Sequence, residues 1–310
     1  MINGIINVYK EAGFTSHDVV AKLRGICKQK KIGHTGTLDP AAVGVLPVCL
    51  GNGTRLCDML TDKSKEYEAV LLLGCVTDTQ DTTGQILEEH EVRVSEEEVK
   101  EAIMSFLGQY DQIPPMYSAL KVNGKKLYEL ARAGKEVERK SRPVEILSID
   151  ILKMELPEVT FRVGCSKGTY IRTLCHDIGQ KLGCGGAMKS LKRTRVGGFT
   201  VEEALTLSQL EELARSGELE SVVVPVEQVF EEYPSMTVRQ EFERLLENGN
   251  AFYKNQVLKE EQFGMAAGQE RENAEGTEGW MKVYGQSGRF YGIYAYDDKN
   301  RRYQPVKMFL

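Results

Sequence analysis

No Cys-x-x-Cys pair occurs among the seven cysteines of this 310-residue chain, which lie scattered at Cys27, Cys49, Cys57, Cys75, Cys165, Cys175 and Cys184. An odd, dispersed set does not make the disulfide framework of a small secreted domain, and structural zinc sites use closely spaced pairs. Cys175, His176 and Cys184 lack a second close pair to complete four ligands, so they read as reduced thiols on a helix and the loop after it, and no metal is expected. Long apolar runs are missing as well: none approaches the ~20 residues that cross a bilayer. The opening MINGIINVYK has no basic stretch followed by an apolar core, so no secretory leader is expected. These features point to a cytoplasmic, reducing compartment. The patterns G-x-x-x-x-G-K-[ST], G-x-S-x-G and H-E-x-x-H are also absent. P-loop nucleotide hydrolysis, nucleophile-elbow hydrolases and zincin chemistry are thereby disfavoured.

What is present is globular in character. Hydrophobic residues make up 41% and charged residues 27%, which excludes a wholly disordered chain. The length suggests two domains. Forty Lys and Arg stand against 45 Asp and Glu, a net charge of -5 that taken whole argues against a polyanionic partner. The charge is unevenly placed, however. Residues 121–142 hold eight basic and three acidic side chains, residues 162–195 eight against one, and residues 1–60 seven against four. The acid is gathered at 202–232, with nine Glu and one Arg, and at 88–101, with seven Glu and two basic residues. A single charge run is usually a solvated face. Three basic segments beside polar, glycine-rich loops and interleaved with Tyr128 and Tyr170 suit a phosphate backbone.

Periodicity places the elements. Gly4–Tyr9 reads as a strand, and Ser16 as the cap of a helix through Val19, Val20, Leu23 and Ile26. Val45–Leu50 is apolar, but Pro47 is expected to confine it to a sheet edge. Glu66–Cys75 reads as a central strand, and Thr77–Gly84 as a polar turn. Ser95 and Glu98 form a capping box before a helix. A short helix near Lys126–Ala133, strands at Pro143–Met154 and Val159–Cys165, and a helix at Tyr170–Leu182 follow. After an acidic helical stretch at Ser208–Glu220, a helix is expected at Val238–Leu246. Strands are expected at Trp280–Tyr284, Phe290–Tyr296 and Val306–Phe309. Strands and helices mix without a βαβ repeat, which indicates α+β. The boundary falls between residues 1–236 and a small β domain at 237–310, with a mobile Glu/Gln/Gly-rich insertion at 260–279.

The segment Gly33-His34-Thr35-Gly36-Thr37-Leu38-Asp39-Pro40, with Gly44 beyond it, carries the strongest chemical signal. Its three glycines permit tight backbone turns and Pro40 restricts Asp39, so the loop can hold one carboxylate in a fixed orientation. A strand-terminating Asp is the competing reading of the same residues. Of the four histidines, His17 and His90 sit in ordinary surface contexts and His176 follows a helical cysteine, which leaves His34.

Lys31–Pro47 (KIGHTGTLDPAAVGVLP) resembles the signature of the TruB-type pseudouridine synthases, the bacterial enzymes that modify uridine 55 of tRNA. Ser64-Lys65-Glu66-Tyr67, the turn TDTQDTTG at Thr77–Gly84, PPMYSALKVNGKKLYEL at Pro114–Leu130, CSKGTYIR at Cys165–Arg172 and Leu191-Lys192-Arg193 fit the same family, in its order, from residue 3 to about 200. Beyond residue 235 only a PUA-like RNA-binding domain is suggested.

The resemblance implies a mixed, largely antiparallel sheet with helices and an insertion at about 121–142 that closes over RNA. It implies isomerisation of uridine to pseudouridine without cofactor or metal, on the T stem-loop of tRNA, by a monomer with no protein partner and no membrane. Residue by residue, it makes Asp39 the nucleophile, Arg172 its partner and Tyr67 the ring that stacks on the uracil. Tyr170 and Leu191 line the uridine pocket, and His34 fills the gap left in the RNA. Lys121, Lys125, Lys126, Arg142, Lys167, Lys192 and Arg193 are expected to meet the RNA backbone. A non-catalytic RNA-binding module of the same fold, or a synthase working within a guide-RNA complex, are the rival readings. The joint presence of Asp39, Tyr67 and Arg172 argues against the first, and the absence of long basic tails argues against the second.

Overall fold

The computed structural model describes residues 1–122, 124–261 and 279–310. Nine strands, apolar and β-branched in β1, β3, β4 and β7 and more polar elsewhere, build one sheet: β1 Gly4–Lys10, β2 Ile32–His34, β3 Val43–Leu50, β4 Lys65–Leu73, β5 Gly108–Gln112, β6 Arg142–Glu155, β7 Glu158–Cys165, β8 Gly186–Val196 and β9 Phe199–Thr200. The spatial order is β1-β3-β8-β4-β7-β6-β5, with β2 beside β3 and β9 beside β8. Every pairing is antiparallel except β3 with β8, which is parallel and short, joining Val43 to Lys192 and Gly44 to Arg193. Four helices cover it: α1 Ser16–Ile26, α2 Glu96–Met104, α3 Ile171–Lys181 and α4 Leu207–Ser216. The α+β reading with a largely antiparallel sheet therefore holds.

Side-chain alternation divides the packing. On β4 the odd-numbered residues from Lys65 to Leu73 are buried and the even ones half-exposed, as a period of two requires. Tyr67, Ala69 and Leu71 pack with Phe161 and Val163 of β7, Val99 and Ile103 of α2, and Leu174 and Ile178 of α3. On β1, Ile6 and Val8 face Val19 and Leu23 of α1 and Leu207 and Leu210 of α4. Ile5, on the opposite face, packs with Cys49, Leu56, Phe230, Ile293 and Phe309.

That last cluster docks a second sheet, formed by β10 Ser235–Val238, β11 Val257–Glu261, β12 Trp280–Gly285, β13 Phe290–Asp297 and β14 Arg302–Met308 in the order β11-β10-β12-β13-β14. Asn52 donates to the Phe309 carbonyl at 2.7 Å and Arg55 to that of Met308 at 2.6 Å. The chain after residue 235 is thus β-rich, as expected, and is bonded to the helical turn at Gly51–Leu56 that follows β3.

Several local expectations need correction. Thr15, one residue before Ser16, caps α1: its hydroxyl accepts from the Asp18 N–H while Asp18 accepts from the Thr15 N–H. The helix expected at Val238–Leu246 is a strand ending at Val238 followed by a short helix at Glu243–Glu247. The stretch 260–279 lies mostly outside the described residues. Finally, β3 is not an edge strand. The Pro47 carbonyl accepts from Thr35 N–H and Oγ1, both at 3.2 Å, just past the last β2 pair. Backbone N and C=O of one residue face the same side of a strand, so the missing N–H lies where the ladder has already ended.

Gly44 lets β3 and β8 meet. Its φ is +106°, and a Cβ there would stand 2.2 Å from the Arg193 carbonyl. Gly44→Ala is expected to lower stability by at least the ~1–3 kcal/mol of the backbone conformation alone, measured as a reduced urea midpoint.

Candidate active site

Arg172 is the second residue of α3, and its side chain is only 7% exposed. Three segments supply oxygen to it. Nε lies 3.0 Å from Oδ2 of Asp39 and one Nη lies 3.4 Å from Oδ1, a two-point grip on the carboxylate. That Nη also donates to the Tyr117 carbonyl at 2.8 Å. The other Nη donates to the Thr79 carbonyl at 3.1 Å and lies 3.7 Å from Oδ2 of Asp81. A buried guanidinium in a fixed fork suits such planar pairing, and its burial is compensated by these acceptors.

Asp39 sits on the loop between β2 and β3, with 39% of its side chain exposed. The loop is pinned from below. Ser16 Oγ accepts from the Leu38 N–H at 3.0 Å, Gly13 N–H donates to the Pro40 carbonyl at 2.9 Å, and Ala42 N–H donates to the Asp39 carbonyl at 3.1 Å. Lys10, fully buried at the end of β1, donates from Nζ to the carbonyls of Ala42 at 2.6 Å and of Pro40 and Glu11 at 3.2 Å. Arg193 donates to the Val45 carbonyl at 2.7 Å and, more weakly, to that of Gly36 at 3.5 Å.

Asp81 is fixed by its own turn. Its Oδ1 accepts from Thr79 Oγ1 at 2.9 Å and from Thr83 N–H and Oγ1 at 2.9 and 2.5 Å, while Thr77 Oγ1 donates to its carbonyl at 2.7 Å. Thr173 of α3 donates to Gln80 Oε1 at 2.8 Å. The turn is thereby bonded to the helix that carries Arg172.

The remaining candidates divide by exposure. Tyr67 and Leu191 are buried in the same apolar cluster as Leu38, next to Asp39 in sequence. Burial pushes the Tyr67 hydroxyl pKa up, and the charge of Arg193 opposes that shift. Tyr170, half-buried, caps α3 with its backbone, and burial pushes its hydroxyl pKa up. His34 packs edge-on against His17, the ring centroids 5.3 Å apart. Burial and His17 hold its pKa below the usual imidazole value, which favours the neutral ring. Lys121, Lys125, Arg142 and Lys167 are exposed, with Lys167 ion-paired to Asp62 at 3.0 Å, and Lys126 and Lys192 are half-buried.

Arg193 does not belong to that group. It is 1% exposed and its guanidinium holds the Asp39 loop, so it cannot meet a nucleic-acid backbone. It follows Lys192 on a strand, where neighbours face opposite sides. Lys10, Asp81 and the Tyr117 carbonyl were missed as individual groups. A lysine ending an otherwise apolar strand was the available signal for Lys10.

Burial pushes the Asp39 pKa upward. Arg172 opposes that shift, Asp81 reinforces it and Lys10 opposes it. Desolvation takes Lys10 itself down to about 8, against the pull of Asp39. The net result is a partly exposed carboxylate, aimed by a buried cation over an apolar floor. Such a group can act as a nucleophile or base on a substrate seated above it.

Residues 24–171 match the TruB family pseudouridylate synthase N-terminal domain, and residues 172–231 match the tRNA pseudouridylate synthase B C-terminal domain. The chain is 55% identical to tRNA pseudouridine synthase B of Lachnoclostridium phytofermentans across 100% of both chains, and 41% identical to that of Clostridium kluyveri, again across 100% of both. Among solved structures, it is similar to a chain of a Cbf5-Nop10-Gar1 complex, with TM-score 0.71 and 27% identity over 99% of this chain and 85% of that one. It is also similar to a chain of an H/ACA RNP bound to a substrate RNA containing 2'-deoxyuridine, with TM-score 0.70 and 26% identity over the same shares. The two matched domains meet inside α3, so Asp39 and Arg172 come from different ones.

Arg172→Gln removes the positive charge that holds the Asp39 pKa down, so the carboxyl is expected to titrate at higher pH than in the unchanged protein, read by carboxyl-carbon NMR. The same change should cost on the order of 3 kcal/mol at neutral pH, since it leaves carboxylates without their buried partner. With the folded pKa raised, that penalty applies above it and fades as pH falls through it. Urea titrations at neutral and acidic pH should therefore converge toward those of the unchanged protein on the acid side.

Proposed function

The chain belongs to the TruB family of pseudouridylate synthases, and from that premise we propose that it isomerises the T-loop uridine at position 55 of tRNA to pseudouridine. The reaction breaks the N1–C1′ bond, turns the uracil over and joins C5 to C1′; C5 gives up its proton and N1 takes one, so the product is an isomer. The observation that carries this reading is the Asp39 carboxylate gripped at two points by a buried Arg172, beside Leu38, which packs in one cluster with Tyr67 and Leu191. Attack on C1′, addition to the base and removal of the C2′ proton all require this group ionised, and Arg172 and Lys10 favour that form.

A T-loop uridine reaches Asp39 only if it is unstacked, at a cost of a few kcal/mol. Tyr67 and Tyr170 offer rings to the extruded base, and a stacked ring returns about 1–3 kcal/mol. Neutral His34, beside the loop, is suited to fill the space the base leaves. Lys121 and Lys125 at the tip of a hairpin, with Lys126, Arg142, Lys167 and Lys192, supply phosphate contacts that set register. Residues from about 237 form a PUA-like RNA-binding unit in this reading, docked through the Phe230, Ile293 and Phe309 cluster. The protein acts as a cytoplasmic monomer without added cofactor.

Asp39→Asn is expected to abolish pseudouridine formation in unmodified tRNA while changing tRNA affinity less than about threefold. Continued turnover would remove Asp39 from the nucleophile role. Changing Lys121 and Lys125 together to Ala should weaken tRNA binding and reduce the slope of log affinity against log salt by about 1–2. Single-turnover rates at saturating enzyme should be retained.

A further inference from the structure

Resting on that functional reading, we propose that Gln112 is a positioning residue whose side-chain amide clamps the backbone of Tyr170 and so aims Arg172 at Asp39. Gln112 is the last residue of β5 and is 1% exposed. Its Oε1 accepts from the Tyr170 N–H at 2.7 Å, and its Nε2 donates to the Tyr170 carbonyl at 3.0 Å and to the Tyr110 hydroxyl at 2.7 Å. The amide thus treats Tyr170 as a strand neighbour would, engaging both backbone groups of one residue. Tyr170 is the cap of α3, extended at φ -102° and ψ 109°, with no side-chain capping bond of its own. Arg172 follows two residues later.

Two further contacts extend the grip. The Tyr110 hydroxyl, which accepts from Gln112, donates to Asp177 Oδ2 at 3.0 Å, so β5 holds α3 at its first turn and again near its middle. Downstream of Gln112, the chain delivers the Tyr117 carbonyl to Arg172. One buried amide therefore sets the start of the helix and the start of the segment that closes on it. Gln112 is not placed to touch the base; it acts through Tyr170 and Arg172. A displacement of about 1 Å at a catalytic group can cost on the order of 100-fold in rate.

The test compares the full-length protein with Gln112→Met, which keeps the volume and loses the amide, and Gln112→Asn, which keeps an amide too short for the clamp. Each is assayed on unmodified tRNA for kcat, KM and the acid limb of kcat/KM, at temperatures where circular dichroism shows it folded. The expected result is a kcat about 10- to 100-fold lower, KM within about threefold, and an acid limb displaced to higher pH as Arg172 loosens from Asp39. A kcat and acid limb like those of the unchanged protein in either folded variant would overturn the proposal. So would equal losses in kcat and KM with no shift of the limb, or failure of both variants to fold, since each marks a merely structural role. If the unchanged protein itself makes no pseudouridine, the functional reading fails first, and the two failures are separable.

Discussion

The guanidinium of Arg172 is tolerated in the interior only because three distant segments bring oxygen to it. The glycine-rich loop gives Asp39, the threonine-rich turn gives Asp81 and the Thr79 carbonyl, the Pro-Pro segment gives the Tyr117 carbonyl, and α3 carries the arginine itself. Taking a charge out of water costs several kcal/mol, and this is recovered only when nearly every donor is satisfied. No one of these segments can shift without leaving a buried donor or acceptor unmet. The surrounding packing can be understood as holding them at that point: Lys10, Ser16 and Arg193 fix the loop, threonines fix the turn, and Gln112 holds the helix.

The electrostatics are a compromise between reactivity and charge. Asp39 must be a carboxylate to react, yet the enclosure that shields its chemistry favours the protonated acid. Arg172 and Lys10 draw the pKa back while Asp81 pushes the other way. Asp81 nonetheless has a use, because a guanidinium anchored on its far side by Asp81 presents its Nε edge to Asp39 in one orientation. A uracil ring covering Asp39 would strip the water from the 39% of its side chain still exposed. The cationic partner therefore matters more in the complex than in the free protein.

How much of this was legible in the sequence depended on how each residue's environment showed itself. The buried strand at Lys65–Leu73 and the capping box at Ser95 were readable because period and cap are local. β8, central in the sheet, was not assigned, since its run of Lys, Arg and Ser hides the two-residue alternation that buries Met188, Leu191 and Arg193. For the same reason Arg193 looked like Lys192, a neighbour in sequence that lies on the other face. Pro47 misled because the rule concerns a lost ladder bond, and here the ladder had already ended. Of the site, Asp39, Arg172 and Tyr67 were marked by family resemblance. Their meeting is a tertiary fact no spacing carries. Lys10 left only its place at the end of an apolar strand as a signal, and Gln112 acts chiefly on backbone atoms, which leave none.

The net charge of -5 concerns the whole surface, whereas binding depends on which charges reach solvent near the site. Moving Arg193 inward takes one cation from the expected RNA face, but Lys121, Lys125, Arg142 and Lys167 remain exposed. The first two sit on a hairpin only four residues beyond Tyr117, whose carbonyl is a partner of Arg172. Within that short path, Leu127 N–H donates to the Leu120 carbonyl and Tyr128 N–H to that of Ser118, so the hairpin and the Tyr117 segment are bonded together. Lys121 and Lys125 therefore belong to the same bonded unit as the Tyr117 carbonyl that meets Arg172. Phosphate contacts that carry no sequence information set register, and here the segment that makes them is also a wall of the site, so register and the placement of a base over Asp39 are fixed together while the chemical step is left to the groups behind.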